Sequence, residues 1–224
     1  MPKSVVLKIG GSSLGVDGLD ALKIREICSV IQELKDKLVL GVVVGAGKVG
    51  GGYVDVARKL GINEYQLDSL AIDVSRLNAK LLGRAVGFKE NIPKTVDEAS
   101  EVMRRKGICF MGGTVPGHTT NAVAALLAEN TRSRLVNVTR VGGIYDRDPD
   151  KFSNAKKLNS ITAEELVQMA AKYDDRKART YFVFDLLAAK IIARSGVPAC
   201  IVSSDPLEIR NACLGKRHSG TVIE

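Results

Sequence analysis

The stretch VVVGAGKVGGGYVDVARKLG, from Val42 to Gly61, predicts a buried strand, a glycine-rich loop and an amphipathic helix in direct succession. Its spacing Gly45-x-Gly47-x-x-Gly50 matches the turn that binds a dinucleotide, in which glycines let the backbone approach a pyrophosphate at a helix N-terminus. The match has little specificity, because Gly and Ala make up six of the eight residues from 45 to 52. A turn that holds no ligand is an open alternative at this point.

Outward from this stretch, strand patterns alternate with helical patterns along the chain. The predicted strands are Ser4–Ile9, Leu38–Val44, Gly107–Met111, Arg134–Thr139 and Pro198–Ser203. The predicted helices are a segment around Ile24–Leu34, the segment after the glycine loop, Tyr65–Val86, Thr95–Arg105, Asn121–Glu129, Thr162–Lys172 and Phe184–Ser195. This alternation predicts an α/β fold of three layers, a largely parallel sheet between two layers of helices, with ligands at the carboxyl ends of the strands.

The second helix after the glycine loop argues against a dinucleotide site. A dinucleotide-binding unit needs a strand there, ending in an acidic residue that binds the ribose. Tyr65–Val86 instead has a helical pattern, with one predicted apolar face formed by Leu67, Leu70, Val74, Leu77 and Leu81. Asp68 has the right spacing but lies on that helix, and the P-loop pattern GxxxxGK[ST] is absent. A nicotinamide or flavin oxidoreductase is therefore disfavoured.

Composition narrows the class of partner. The formal charge is +8, but Lys and Arg are interleaved with Asp and Glu, aromatic residues make up 4% and there is no Trp. Proteins that bind nucleic acid usually add a basic cluster and stacking aromatics, so we expect no nucleic-acid partner. The composition does not exclude small phosphorylated molecules as ligands.

No stretch approaches the ~20 consecutive apolar residues that cross a bilayer, and Met1-Pro2-Lys3 leads into a strand without a secretory apolar region. We therefore expect a cytoplasmic protein with no membrane association. Its four cysteines, at positions 28, 109, 200 and 213, are far apart in apolar surroundings and form no CxxC or Cys/His cluster. They are expected to be buried reduced thiols, neither disulfides nor metal ligands.

Three further loops at predicted strand ends carry groups suited to phosphates. In LKIGGSSLG, Lys8 ends a buried strand, and it must reach solvent or a counter-charge because burying an unpaired ammonium ion is costly. In MGGTVPGHTTNAVAALLAE, glycines precede Thr119, Thr120 and Asn121 at a helix start, where one threonine serves as N-cap. In VTRVGGIYDRDP, a strand is followed by glycines and by a tyrosine in the manner of a nucleotide-holding loop.

Together these stretches resemble the amino acid kinase superfamily, and most closely its archaeal branch of UMP kinases. The similarity runs in order over nearly the whole chain. It is carried by KIGGS, VVVGAGK, LDSLAIDVSRLNAKLL, GGTVPGHTTNAVAALLAE, GIYDRDP and DLLAAKIIARSG, and by GTVI at positions 220–223, which fits the family's closing strand. The resemblance implies one amino acid kinase-like domain over residues 1–224, with the acceptor site in about 1–130 and the nucleotide site in about 131–224.

The resemblance implies an ATP-dependent phosphotransferase that converts UMP to UDP in pyrimidine nucleotide synthesis, uses Mg²⁺ with ATP and assembles as a homo-oligomer, typically a hexamer. Lys8 and Asp185 would be catalytic. The ATP-binding residues implied are Lys8, Gly10, Gly11, Ser12, Thr139, Tyr145, Asp148 and Pro149. The substrate-binding residues implied are Gly45, Ala46, Gly47, Asp68, Thr119, Thr120 and Asn121, with the phosphate of UMP on the second glycine loop.

Three positions depart from the family pattern. Gly51 stands where these kinases often carry Arg, Asn121 where many carry Asp, and Arg140-Val141-Gly142-Gly143 where Asn-Val-Asp-Gly is usual. These departures leave open the alternative that the chain is a non-catalytic relative that binds nucleotides or oxyanions. Among other kinases of the superfamily, aspartate kinases add a regulatory domain for which this chain is too short, and isopentenyl phosphate kinases place a substrate histidine after the second glycine loop, a region that lacks one here.

Overall fold

A computed structural model describes residues 3–172 and 184–224. Its strands are β1 Ser4–Ile9, β2 Val39–Val44, β3 Ile108–Met111, β4 Arg134–Val138, β5 Ser160–Ile161, β6 Ala199–Val202 and β7 Thr221–Ile223. Its helices are α1 Ala21–Lys35, α2 Gly47–Lys59, α3 Glu64–Ala85, α4 Val96–Lys106, α5 Thr120–Thr131, α6 Ala163–Lys172, α7 Leu186–Ser195 and α8 Pro206–Leu214. A short 3₁₀ turn, Gly11–Leu14, follows β1.

The strands form one sheet in the order β3-β2-β1-β4-β6-β7-β5. All neighbouring pairs are parallel except β6 and β7, which are antiparallel. Helices α4 to α7 pack on one face of the sheet, and α1, α3 and α8 pack on the other. The predicted α/β sandwich with a largely parallel sheet is confirmed.

The strand order places a crevice beside β1. The chain runs from β1 to β2 and β3 on one side, and to β4 and β6 on the other, so the carboxyl ends of these strands meet where the order reverses. In open α/β sheets ligands bind at such a reversal. The first, second, third and fourth loops, which follow β1, β2, β3 and β4, all open there.

The predicted strands and helices are present, with ends that differ by at most three residues. The sequence analysis missed β5, which has two residues, and α8. Helix α8 does carry a start signal, because Asp205 caps it by accepting hydrogen bonds from Leu207 N and Glu208 N, and Pro206 follows at the first helical position.

The predicted apolar face of α3 is partly wrong. Leu67 and Val74 are buried, but Leu77 is 65% exposed and Leu81 is 41% exposed. The buried side of α3 instead includes polar residues, which contact the loops at the strand ends. Helix α3 therefore has a second, exposed apolar stripe that the periodicity alone assigned to the core.

All four cysteines are buried and unpaired, as predicted. Burial raises the pKa of the Cys109 and Cys200 thiols to about 12, which keeps them protonated and unreactive at neutral pH. Within residues 3–172 and 184–224, every helix is too short or too polar to span a bilayer.

Candidate active site

The first and second glycine loops touch backbone to backbone. A Cβ atom on Gly11 would lie 2.0 Å from Gly47 N, and Gly45 N donates to Ile9 O over 2.9 Å. Gly47 has φ +63°, which a side chain would strain. The glycines at these positions therefore let the ends of β1 and β2 approach more closely than any other residue would allow.

Three helices, α2, α5 and α7, begin at this crevice, and α2 differs from the other two. The Thr119 hydroxyl caps α5 by accepting from Asn121 N and Ala122 N, and Asp185 caps α7 by accepting from Ala188 N. Helix α2 has no side-chain cap at Ala46. Its first N–H groups lack the usual intrahelical acceptor, and such an N-terminus suits an anion.

Helix α3 fixes the second and third glycine loops through buried polar side chains. Asn78 Nδ2 donates to Gly45 O over 2.9 Å and to Ala46 O over 3.2 Å. Ser75 Oγ accepts from Gly113 N over 2.7 Å. These hydrogen bonds fix the positions of the second and third loops relative to α3.

Two exposed or half-buried side chains of α3 hold the rest of the third loop. Arg76 donates through Nε to Gly113 O over 3.0 Å and through Nη2 to Thr114 O over 2.9 Å. Asp68 Oδ2 accepts from Gly117 N over 2.7 Å. Asp68 therefore stands where the third loop passes α3, with its other carboxylate oxygen open to solvent or a ligand.

Lys8 is 8% exposed at the end of β1. Burial lowers the pKa of its ammonium group from 10.5 to about 8, and the Asp185 carboxylate opposes that shift. A Cβ atom on Gly10 would lie 3.8 Å from Lys8 Nζ and 3.1 Å from Val138 O. The ammonium ion therefore lies at the junction of the first glycine loop and β4, and Asp185 supplies an opposite charge that acts on it from beyond ion-pair distance.

The starts of α5 and α7 are tied together. The Thr119 hydroxyl donates to Asp185 Oδ2 while it accepts two α5 amides, so its hydrogen-bonding capacity is used. Thr120 is the first residue of α5, and its Oγ1 would lie 3.4 Å from a Cβ on Gly45, facing the second glycine loop. Of the two predicted threonines, Thr119 is the N-cap and Thr120 is the one directed toward that loop.

The fourth loop follows β4 and is held by its own side chains. Thr139 Oγ1 accepts from Gly142 N over 3.1 Å, and the Tyr145 hydroxyl donates to Val141 O over 3.2 Å. Buried Thr221 Oγ1 accepts from Ile144 N and so anchors the loop to β7.

Asp148 is half-buried in the turn that contains Pro149, and its carboxylate accepts from Asp150 N over 3.0 Å.

One group of the predicted site residues converges at the ends of β1 and β2. It consists of Lys8, Gly10, Gly11, the residues from Gly45 to Gly47, Thr119 to Asn121 and Asp185. Ser12 is exposed in the 3₁₀ turn. Tyr145, Asp148 and Pro149 lie in the fourth loop, beyond β4.

Sequence reasoning missed Ser75, Arg76, Asn78 and Asn137. The first three lie within the α3 motif quoted above, but their backbone partners are 32 to 38 residues away in the chain. Asn137 was hidden because it interrupts an otherwise apolar strand, RLVNV. A polar residue within a buried apolar run is the signal that could have found it.

Comparison with known proteins identifies the family. The model of the amino acid kinase family matches residues 3–203. This chain belongs to the amino acid kinase family. Uridylate kinases of Methanopyrus kandleri and Thermococcus kodakarensis are each 42% identical to this kinase over 224 residues, covering 98% of its chain and 98% and 99% of theirs.

Solved structures agree with the family assignment. The crystal structure of uridylate kinase from Archaeoglobus fulgidus is 37% identical to this amino acid kinase, with a TM-score of 0.87, and covers 99% of this chain and 100% of that one. Aspartate kinase from Synechocystis shares the fold, with a TM-score of 0.72 and 20% identity over 98% of this chain and 39% of that one.

The departures of this amino acid kinase from the family pattern have visible surroundings. A Cβ atom on Gly51 would meet nothing within 4 Å, so crowding does not explain the absent Arg. Gly142 has φ +68°, which Gly adopts without cost and Asp tolerates. Arg140 forms an ion pair with Asp150 and so is directed into the fourth loop.

Proposed function

We propose that this member of the amino acid kinase family is a uridylate kinase. It transfers the γ-phosphoryl group of ATP to UMP and releases UDP, a step of pyrimidine nucleotide synthesis. Full-length similarity to archaeal uridylate kinases carries the proposal. The geometry supports it, because an uncapped helix N-terminus, a buried lysine and glycine loops in backbone contact lie at one crevice.

In this proposal the phosphate of UMP binds the start of α2. Ala46 and Gly47 supply backbone N–H groups to the phosphate, and the Thr120 hydroxyl donates from α5. Gly45, whose N–H is bound to Ile9 O, lines the site without a side chain that would block the phosphate. Asp68 accepts hydrogen bonds from the ribose hydroxyls with the carboxylate oxygen that Gly117 leaves open. Thr119 supports the site from behind, through α5 and Asp185.

ATP binds on the other side of β1 in this proposal. Gly10, Gly11 and Ser12 lie along its phosphates. The fourth-loop residues Thr139, Tyr145, Asp148 and Pro149 hold the base and ribose. That arrangement puts the nucleotide-holding part in about residues 131–224 and the acceptor part in about 1–130, with the two phosphates facing each other across the contact of Gly11 with Gly47.

Phosphoryl transfer needs the two phosphates aligned and the developing negative charge neutralised, with little covalent chemistry from the protein. Lys8 supplies a positive charge in a buried setting, where electrostatic stabilisation is stronger than in water. Burial lowers the pKa of Lys8 to about 8, and Asp185 opposes that shift by favouring the charged ammonium group. Asp185 also ties α5 to α7 through Thr119. Mg²⁺ bound to the phosphates would neutralise more charge, and Asp185, a carboxylate with lone pairs to spare, is the residue suited to hold it.

The first prediction concerns the acceptor. In a coupled assay of ADP release, UMP should be phosphorylated about 10²-fold or more faster, by kcat/KM, than AMP, GMP or isopentenyl phosphate, because sites that hydrogen-bond a substrate reject analogues that leave those groups unpaired. Comparable rates with AMP would refute the assignment to UMP. Binding of ATP and UMP without ADP release would instead favour a non-catalytic relative. Asn121 and Gly51, which depart from the family pattern, are the reason to consider that alternative.

The second prediction concerns Asp68→Asn. The amide oxygen can still accept from Gly117 N, so the third loop keeps its position while the charge is lost. We expect UMP binding to weaken by about 1–3 kcal/mol, the usual worth of hydrogen bonds to a charged acceptor. Titration calorimetry measures this, with Asp73→Asn, another exposed carboxylate of α3, as the matched control. UMP affinity equal to that of the control would argue against the ribose contact.

We also propose a homo-oligomer, of the hexameric type that the family resemblance implied, and a cytoplasmic location. The exposed apolar side chains of α2 and α3 support assembly, since a patch of this kind on a globular protein often marks an interface. They are Tyr53, Val56, Tyr65, Leu77 and Leu81, together with Leu60 at the C-cap of α2.

A further inference from the structure

Asn137 is fully buried near the end of β4, among apolar neighbours. Its Nδ2 donates weakly to Asn121 Oδ1 over 3.5 Å, and its Oδ1 has no hydrogen-bond partner. Burying an acceptor without a donor destabilises the folded protein. We therefore expect the Asn137 oxygen to accept a hydrogen bond when the protein functions.

A second unpartnered group lies on the next strand. Asn137 is the β4 residue paired in register with Lys8 on β1. Val6 and Leu135 stand two residues before Lys8 and Asn137 on the same strands, and both pack under α5 and α7. Since alternate residues of a strand face the same side, the side chains of Lys8 and Asn137 share that face of the sheet. Within the described part of the chain, the Lys8 ammonium ion forms neither a hydrogen bond nor an ion pair shorter than 4 Å.

The groups around Lys8 leave few other acceptors. From α7, Asp185 contributes a charge that acts on Lys8 without an ion pair shorter than 4 Å among the described residues, and its two oxygens each accept one hydrogen bond, from Thr119 and from an α7 amide. From β2, the residue in register with Lys8 is Val43, which is apolar. Asn121, where the family often carries Asp, brings no charge. Two buried oxygens in this region have no hydrogen-bond partner among the described residues: Ser13 Oγ, beside Gly10, and Oδ1 of Asn137. Asn137 is the one of the two that lies in register with Lys8 on the neighbouring strand.

We propose that Asn137 is a positioning residue for Lys8: in solution, with or without bound phosphates, its Oδ1 accepts a hydrogen bond from the ammonium group and holds it toward the crevice. For its role in turnover this inference rests on the proposed kinase function. In this inference Asn137 and Asp185 together stabilise the charged form of Lys8, which Asp185 would otherwise do alone. The charged form of Lys8 is favoured by both, and a neutral amide does so without repelling the phosphates.

The test compares Asn137→Leu and Asn137→Asp with Ser133→Ala, which removes a buried hydroxyl just before the opposite end of β4. The Leu variant keeps the volume and removes the unpaired acceptor, so its thermal unfolding temperature should equal or exceed that of the wild type. The Lys8 ε-carbon is then titrated by NMR in the free protein. The midpoint should fall by roughly 0.5–1 pH unit in the Leu variant, rise in the Asp variant and stay unchanged in Ser133→Ala.

Kinetics give the second readout. In Asn137→Leu, kcat should fall about tenfold with little change in the KM for UMP, because the misdirected lysine acts on the transition state. An unchanged Lys8 titration in the Leu variant would overturn the inference, even if kcat fell. A higher Mg²⁺ requirement with an unchanged titration would overturn it too, since Oδ1 would then serve the metal. The titration does not depend on turnover, so a wild-type protein inactive toward UMP would refute the proposed function and leave this test standing.

Discussion

Lys8→Ala should lower kcat by about 10²-fold or more while UMP affinity stays within about twofold, because the lysine acts on charge that develops during transfer. Its ammonium group is buried between the first glycine loop and β4, with Asp185 as counter-charge, so no exposed lysine can replace it. Steady-state kinetics and calorimetry with UMP separate the two effects. A loss confined to KM would mean that Lys8 binds the ground state only.

The same lysine predicts a pH dependence. Because burial brings the pKa of Lys8 to about 8, the free protein loses the positive charge as the pH rises through that value, and kcat/KM should fall there. Lys8→Arg keeps its charge above that pH and serves as the control. Its activity is expected to be low but flat across the same range, since the guanidinium group does not titrate. A wild-type profile as flat as that of the Arg variant would contradict the role of a titrating lysine.

Gly11→Ala should have an effect of similar size. Its Cβ would lie 2.0 Å from Gly47 N and 2.3 Å from Gly47 Cα, and both are backbone atoms that cannot rotate away. The first and second loops must separate, and with them the two phosphates. A shift of about 1 Å in reacting groups costs about 10²-fold in rate, so we expect at least that loss in kcat/KM for both substrates.

The matched control is Gly52→Ala. A Cβ there would meet nothing within 4 Å, and Ala favours the α2 helix by up to about 1 kcal/mol. Circular dichroism and thermal unfolding must show that Gly11→Ala is folded, with an expected loss of about 1–3 kcal/mol from overpacking. A folded Gly11→Ala protein with the activity of the Gly52→Ala control would show that the contact of the two loops is not needed for transfer.

The sequence predicted those parts of the fold and site that leave a local pattern. Glycine runs after apolar strands located the loops, and the lysine in KIGGS was identifiable because it ends a buried strand. The contacts of Ser75, Arg76 and Asn78 were beyond reach, since their partners are brought near only by the packing of α3 on the sheet. The same packing decides which stripe of α3 is buried, and periodicity alone could not.

Local chemistry also leaves real ambiguities. Either threonine in HTTN satisfies the N-cap pattern, and only the geometry of α5 assigns the cap to Thr119. Asn137 is invisible to a motif search, because a single Asn in a strand has no spacing to match. Its register against Lys8 depends on two strands that are 129 residues apart in the chain.

The edges of the sheet have a consequence for solubility and assembly. One edge strand, β3, has four residues and the other, β5, has two. Long, flat edge strands invite sheets of neighbouring molecules to join by hydrogen bonds, and short edges discourage it. Copies of this protein should therefore resist fibril-like stacking through the sheet, and any specific assembly has to use side-chain surfaces of its helices instead.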